Sequence, residues 1–353
     1  MKRIFYKLLV PCLVLLLLTS VNGIAQEKRV GTNAASELLI PVGARYIAMG
    51  GASLALVKGV EAIYWNPAGL TLSDYTADAM FSHMSYIADM KLNYVAVAAK
   101  FGGLGSLGFS IKSLDIGDIV VTTEEFPDGT GALFSPQFIV GGLTYSRALS
   151  DRVSVGATLN VISEDIERVS ARSFAFDIGV QYRNLANING LNVAVVVKNI
   201  GPSMKYSGTG LLRRADAQNV DRSPGPLAVE AQRDELPSVL EIGASYTFTM
   251  GENSKINVMG LFQDNNFTDD VARLGAEYDF NDLFFVRAGY SLAPDAADED
   301  LTTFEGQNSY IYGLTLGAGI HYDFPKIAVT IDYAYRDVDF FESNNVFQIR
   351  LGF

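Results

Sequence analysis

The sequence predicts an all-β fold: a transmembrane antiparallel β-barrel of about 14 strands with an N-terminal plug of short helical turns in its lumen. Three observations carry this expectation. Long runs alternate apolar and polar residues with period two, as half-exposed strands do. The connectors between runs alternate between tight and long. An apolar N-terminal stretch without alternation precedes them. The composition agrees: 49% of the 353 residues are hydrophobic, only 19% are charged, and 33 are Gly.

Residues 1–25 read as a secretory signal peptide. Lys2, Arg3 and Lys7 precede an apolar core from Leu8 to Leu18, and Gly23-Ile24-Ala25 offers small residues before a cut at Gln26. The core is shorter than the ~20 residues a spanning helix needs, which separates it from a membrane anchor. The single cysteine, Cys12, lies inside this leader, so the exported chain is expected to rely on packing or sheet closure rather than disulfides. Without the leader's three bases, 24 Lys and Arg face 39 Asp and Glu, a net charge of −15. That balance excludes nucleic acid as a partner.

Residues 26–73 are the expected plug. The stretch is apolar and rich in Gly and Ala yet holds no strand, so it needs a burial site; a barrel's lumen supplies one, and a floppy tail would not. Ser36-Glu37-Leu38-Leu39 and the Ala-rich 52–62 suggest short helical turns, joined at Gly43, Gly50 and Gly51. Trp65-Asn66-Pro67-Ala68-Gly69-Leu70 follows as the hinge between plug and wall. Pro67 stops helix and strand and keeps Asn66 extended, while Asn66 can bond its own backbone in a turn. Trp65, the only tryptophan, is expected to pack the plug against the inner wall rather than to anchor at the membrane interface.

The barrel is expected over 74–353. Strands fall near 75–87, 91–101, 105–121, 136–148, 152–164, 172–184, 191–201, 238–249, 255–265, 271–280, 283–292, 308–324, 327–337 and 344–353. Leu240, Ile242, Ala244, Tyr246 and Phe248, for example, alternate with Glu241, Gly243, Ser245 and Thr247. A soluble sandwich would also alternate, but these runs exceed its usual ~5–6 residues and suit a tilted bilayer crossing. Connectors at 102–104, 149–151, 250–253, 281–282 and 324–326 are tight; those at 122–135, 165–171, 202–237, 293–307 and 338–343 are longer. Bacterial single-chain barrels are built that way, with short periplasmic turns and an even strand number, so both chain ends are expected on the short-turn side. Phe347, Ile349, Leu351 and the terminal Phe353 make an amphipathic last strand that resembles the signal read by the barrel assembly machinery.

On the polar face, Asp177, Arg183, Glu241, Glu277, Arg287, Asp323, Asp332, Arg336 and Arg350, with Lys112, Arg273 and Asp279, are expected to point inward. Mixed charges facing each other pair and stiffen a wall; a selective solute path is the alternative. Neither His83 nor His321 falls in a catalytic motif, so no enzyme activity, cofactor or metal is expected. Asp295, Asp298, Glu299 and Asp300 lack the spacing of a calcium loop.

Gly43-Ala44-Arg45, Met49-Gly50-Gly51-Ala52 and the Trp65–Leu70 motif resemble the N-terminal hatch of the FadL-like superfamily. The opening string at 31–52 is similar to its PorV/PorQ branch, associated with type IX secretion in Bacteroidota-like bacteria. That resemblance implies a 14-stranded barrel in a Gram-negative outer membrane, surrounded by lipid. It also implies an accessory role in secretion, with the translocon or the C-terminal domain of secreted cargo as partner. The alternative within the superfamily is a channel for hydrophobic small molecules, which the single long, charged connector at 202–237 does not favour.

Overall fold

The computed structural model describes residues 32–215, 225–293 and 310–353. The expected leader (1–25) and the acidic run Asp295, Asp298, Glu299 and Asp300 lie outside them. Fourteen antiparallel strands close into one barrel: β1 (Ala77–Ser85), β2 (Lys91–Lys100), β3 (Ser106–Asp115), β4 (Gln137–Ala148), β5 (Val153–Ile166), β6 (Val169–Tyr182), β7 (Leu191–Ile200), β8 (Val239–Met250), β9 (Ser254–Asn265), β10 (Val271–Phe280), β11 (Phe284–Leu292), β12 (Tyr312–Asp323), β13 (Ala328–Val338) and β14 (Asn344–Gly352). Each pairs with its sequence neighbours, and β14 returns to β1 with Gly352 opposite Asp78 and Asn345 opposite Ser85. Closure leaves no free edge, the condition for a sheet in lipid. Among the described residues, no helix is long and apolar enough to cross a membrane.

Side chains sort by face as the alternation requires. On β8, Glu241 and Ser245 are buried, while Ile242 and Phe248 are exposed to the surroundings of the barrel. Aromatics sit near strand ends on the outer surface, among them Phe101, Phe280, Phe284, Tyr322, Phe324 and Phe353 at the short-turn end. The inner faces of β1–β5 break the polar rule. Met80, Met84, Leu92, Tyr94, Ala96, Leu114, Val140 and Ile162 all point inward and are buried, because the plug presents apolar partners there instead of water.

The loop sorting holds only in part: 86–90, 266–270 and 339–343 at the long-loop end have five residues each, no more than 101–105 at the other end. The 165–171 stretch, expected as a long connector, is strand almost throughout: β5 and β6 pair up to Ile166 opposite Val169. Glu167 turns the chain in left-handed conformation, φ 47°. At the other end, 183–190 is longer than its neighbours and folds into a short 3-10 turn, Leu185–Asn187. Small ladders extend the long loops, joining Ile119–Val120 to Leu133–Phe134 and Leu212–Ala215 to Gly225–Ala228.

The plug is a string of single turns, Ser36–Leu39, Ala44–Ile47, Gly59–Glu61, Ala62–Trp65 and Pro67–Leu72. Most of it is buried: Tyr46, Met49, Leu54, Val57 and Val60 have no exposed surface. Of the expectation that both ends of the chain lie on the short-turn side, only the C-terminal part falls on described residues; residues 1–31 lie outside them. The C-terminus does lie there, where Phe353 carbonyl accepts from Thr76 N–H at 2.8 Å. The first described residues lie at the opposite end, where Ala34 N–H donates to Glu235 carbonyl of the long 201–238 connector at 3.0 Å. The chain therefore threads the whole lumen from the long-loop end before entering β1.

Candidate functional site in the lumen

The hinge motif is fixed inside the barrel. Asn66 is fully buried and extended, φ −157° and ψ 105°, as the following proline requires. Its Oδ1 accepts from Ala68 N–H at 3.1 Å, closing an Asx turn that starts the 3-10 turn. Its Nδ2 donates to Leu54 carbonyl at 3.1 Å, tying the hinge to the earlier plug. Ser146 of β4 donates to Ala68 carbonyl at 3.1 Å. Trp65 packs edge-on against Tyr64 and Tyr46, with ring centroids 5.2 and 6.0 Å away, and its Nε1–H donates to Val42 carbonyl at 3.1 Å. Leu70 joins the same apolar core.

The wall makes room with glycine. A Cβ on Gly156 of β5 would lie 2.4 Å from Pro67, and one on Gly179 of β6 2.1 Å from Asn66 Oδ1. Gly243, Gly275, Gly289 and Gly317 meet Leu54, Met49, Gly50 and Ala48 in the same way. This track of inward glycines was not singled out in the sequence; the visible signal was that Gly occupied polar-face positions. The plug turns Gly43, Gly50 and Gly51 have φ of +85°, +66° and +77°. Gly59 does likewise at +70°, and a Cβ there would sit 2.6 Å from both Asp78 and Arg350.

A chain of buried charges bolts plug to wall. Arg45 of the plug grips Glu277 of β10 through Nε and Nη2 at 3.2 and 3.1 Å. Arg287 of β11 donates to the same Glu277 and to Asp332 of β13, both at 2.6 Å. Gln348 of β14 bridges Asp332 at 3.4 Å and Glu61 of the plug at 2.8 Å. Arg350 of β14 reaches Glu61 at 3.5 Å and Asp78 of β1 at 3.1 Å. Burial raises the Glu61 carboxyl above the ordinary range, while the Arg45 and Arg350 guanidiniums pull it down. Arg45, Glu61, Asp78 and Gln348 were absent from the expected lumen set; nothing in a plug without periodicity marks Arg45 and Glu61, whereas Asp78 and Gln348 hold inward positions of alternating wall strands.

A second group lies nearer the long loops. Lys198 of β7 pairs with Glu241 of β8 at 2.9 Å, and Arg273 of β10 stands 4.0 Å from the same carboxylate. Asp177 of β6 accepts from Asn199 N–H and Asn160, each at 2.8 Å. The Lys112 and Lys198 ammoniums lie 4.9 and 5.0 Å from the centre of the Tyr64 ring. Arg336 sits 3.9 Å over the Tyr312 ring.

Two expected lumen residues belong elsewhere. Arg183 lies past the end of β6 and donates to Asp151 carbonyl at 2.7 Å in the short-turn rim. Asp323 is 72% exposed at that rim, 3.2 Å from His321. Alternation sets the face of a residue but not its depth, and both sit at or past strand ends. Asp279 keeps its buried inward position near the short-turn end of β10, where it accepts from Asp282 N–H at 2.9 Å and caps the 281–283 turn. In the last strand, Phe347 and Ile349 face outward, Leu351 is half-buried, and Phe353 closes the seam on Thr76 and Ala77.

Above the plug, toward the long loops, lies a cavity of about 400 Å³. Tyr64, Trp65, Tyr86, Tyr312, Leu38 and Ile47 give it apolar walls, and Lys198, Glu241, Arg273 and Arg336 give it charges. No His, Cys, Asp and Glu cluster suited to a metal occurs among the described residues.

Residues 23–219, just over half of the chain, match the family described as type IX secretion system protein PorV. Among solved structures, the chain is similar to the CymD monoaromatic hydrocarbon channel at 16% identity and TM-score 0.54, over 89% of this chain and 98% of that one. The Ralstonia pickettii toluene transporter TbuX shares 13% identity at TM-score 0.55, over 88% and 98%. The Pseudomonas putida toluene transporter TodX shares 14% at 0.52, over 87% and 96%. At such identities the likeness is one of fold. No curated protein matches the chain. The family and the barrel together place the chain in a Gram-negative outer membrane and among barrels of transport type, not among enzyme families.

Proposed function

The chain belongs to the PorV family, and we propose that it serves type IX secretion as an accessory barrel. In this reading it works by contact: its long-loop end holds the translocon or the C-terminal domain of secreted cargo. The observation that carries the reading is the bolted plug. Arg45 and Glu61 join two wall strands, β10 and β14, through buried ion pairs and hydrogen bonds, so the lumen is filled and a wide diffusion path is absent along the described plug. Residues 1–25 are the cleaved leader, and the barrel assembly machinery reads the last strand through Phe353. The setting is the outer membrane of a Bacteroidota-like bacterium.

Copurification from native membranes tests this. Recovery of a large outer-membrane translocon or of secreted proteins with a shared C-terminal domain is expected. A barrel that purifies alone and carries bound lipid would overturn it. The cavity of about 400 Å³ with aromatic walls favours a second reading, uptake of hydrophobic small molecules through a pocket above the plug. Saturable binding of an apolar ligand that Trp65→Ala abolishes would support that reading, and no binding at any concentration would dismiss it.

A further inference from the structure

On the outer surface of the barrel, β1 carries chemistry that neither the plug nor the long loops use. His83 and Ser85 share the outward face of β1, with buried Met84 turned to the lumen between them. His83 stands opposite Asn93 of β2, and its Nδ1 lies 2.8 Å from Asn93 Oδ1. An amide oxygen only accepts, so the neutral ring carries its proton on Nδ1 and its lone pair on Nε2. That is the tautomer a general base needs, with the amide in the orienting place of a nucleophile triad. The sequence left His83 without a partner because Asn93 reaches it only through strand pairing.

Ser85 completes the set. Residues two apart on a strand stand roughly 7 Å apart along one face, a span that an imidazole leaning along the strand and a serine hydroxyl close with one hydrogen bond. Such contacts commonly tighten only when substrate is in place. Ser85 is exposed at the long-loop end of β1, opposite exposed Lys91 of β2 and Asn345 of β14. Toward the membrane the same outward face turns apolar. Phe81 pairs with Val95 of β2, Phe347 of β14 stands opposite His83, and all three are exposed. The polar trio therefore sits where the apolar band meets the polar rim, the level at which a bilayer lipid carries its acyl esters.

We infer that Asn93, His83 and Ser85 form an acyl-ester hydrolysis site on the lipid-facing wall, acting on an ester-linked acyl chain of an outer-leaflet lipid. The Ser85 hydroxyl attacks the ester carbonyl and passes its proton to His83 Nε2. The carbon–oxygen bond to the lipid alcohol breaks, and His83 returns the proton to that alcohol as it leaves. Water then attacks the acyl group on Ser85, with His83 again as base, and the fatty acid departs from a restored hydroxyl. Asn93 is a positioning residue that holds the ring. Lys91 places a positive charge beside the developing oxyanion, and Phe81, Val95 and Phe347 offer the acyl chain an apolar bed. Glycerophospholipid and lipopolysaccharide share this ester chemistry. None of it depends on which protein the long loops hold.

Acyl release by the full-length barrel in mixed detergent micelles tests this, with either phosphatidylethanolamine or purified lipopolysaccharide as substrate and free fatty acid measured by mass spectrometry. Release is expected from at least one lipid, and which one identifies the source of the ester. Ser85→Ala and His83→Phe should each lower it by about 10²–10⁴-fold. Their heat-modifiable migration should match the parent, because both side chains lie outside the barrel. Asn93→Ala should lower kcat with KM unaltered, and Asn93→Asp, which keeps an accepting oxygen, should restore most of the rate. A long-chain sulfonyl fluoride should label Ser85 in the parent and not in His83→Phe. No release from either lipid, or equal release by the parent and Ser85→Ala, would overturn the site and leave His83 and Asn93 as polar residues of the interfacial girdle.

Discussion

Asn66 shows how tightly single residues specify the lumen. Its amide is fixed at both ends, by Leu54 carbonyl and Ala68 N–H, and it cannot yield to a methyl group on Gly179 only 2.1 Å away. Gly179→Ala is therefore expected to cost about 1–3 kcal/mol, the usual range for overpacking. It should show as a lower urea midpoint and less heat-modifiable barrel on gels. Gly141→Ala is the control, since nothing lies within 4 Å of a Cβ there, and its midpoint should match the parent. Charge behaves similarly. Removing Arg45 takes one of two guanidiniums from Glu277 and from Glu61, both nearly fully buried, so Arg45→Ala is expected to destabilise by about 1.5–3 kcal/mol, the range for a lost hydrogen bond to a charged group. Lys58 pairs with Asp74 in a much more exposed setting, at 41% and 63%, and Lys58→Ala should cost less than about 1 kcal/mol. Thermal midpoints of the two variants, measured side by side, check the contrast.

At the scale of elements, strands were legible and the plug was not. The wall strands repeat one instruction, apolar out and polar or small in, and their 14 predicted positions match the 14 observed. The β5–β6 hairpin was misjudged because Glu167 and Arg168 look like a charged loop, whereas two residues suffice once φ turns positive. The plug has no period to read. Its turns are set by glycines and by partners more than two hundred residues away, as Arg45 and Glu277 show, and such pairings leave no local mark. Depth along the lumen was equally hidden, which is why Arg183 and Asp323 seemed to belong with Asp177 and Glu241. The last strand makes an element-scale prediction. Phe353 carbonyl takes both Thr76 and Ala77 amides, so it closes the seam between the first strand and the last. Deleting Phe353 is expected to reduce the folded, heat-modifiable fraction several-fold while leaving synthesis unchanged; equal folding would show that Gly352 opposite Asp78 suffices for closure.

For the whole molecule the question is whether the barrel is a pore held shut or a solid post. The lumen is filled in two different ways. Along β1–β5 the plug packs as an apolar core, with Met80, Leu92 and Ile63 in one cluster. Along β10–β14 it is held by the Arg45–Glu277–Arg287–Asp332 chain. Apolar packing excludes water without direction, whereas the ion pairs fix the plug's height, because each guanidinium has one set of matching oxygens. Losing either side alone should loosen the plug and leave it in place. The expected outcome in planar bilayers is graded. The parent barrel conducts no ions, Arg45→Ala flickers briefly, and a chain lacking residues 32–72 opens steadily, provided it inserts. A steady current through the parent would mean that the plug is leaky and the second, uptake reading is the better one. Silence in the chain lacking 32–72 would mean that the wall collapses inward, with the inner apolar faces of β1–β5 closing on each other once Ile63 and Leu70 are gone.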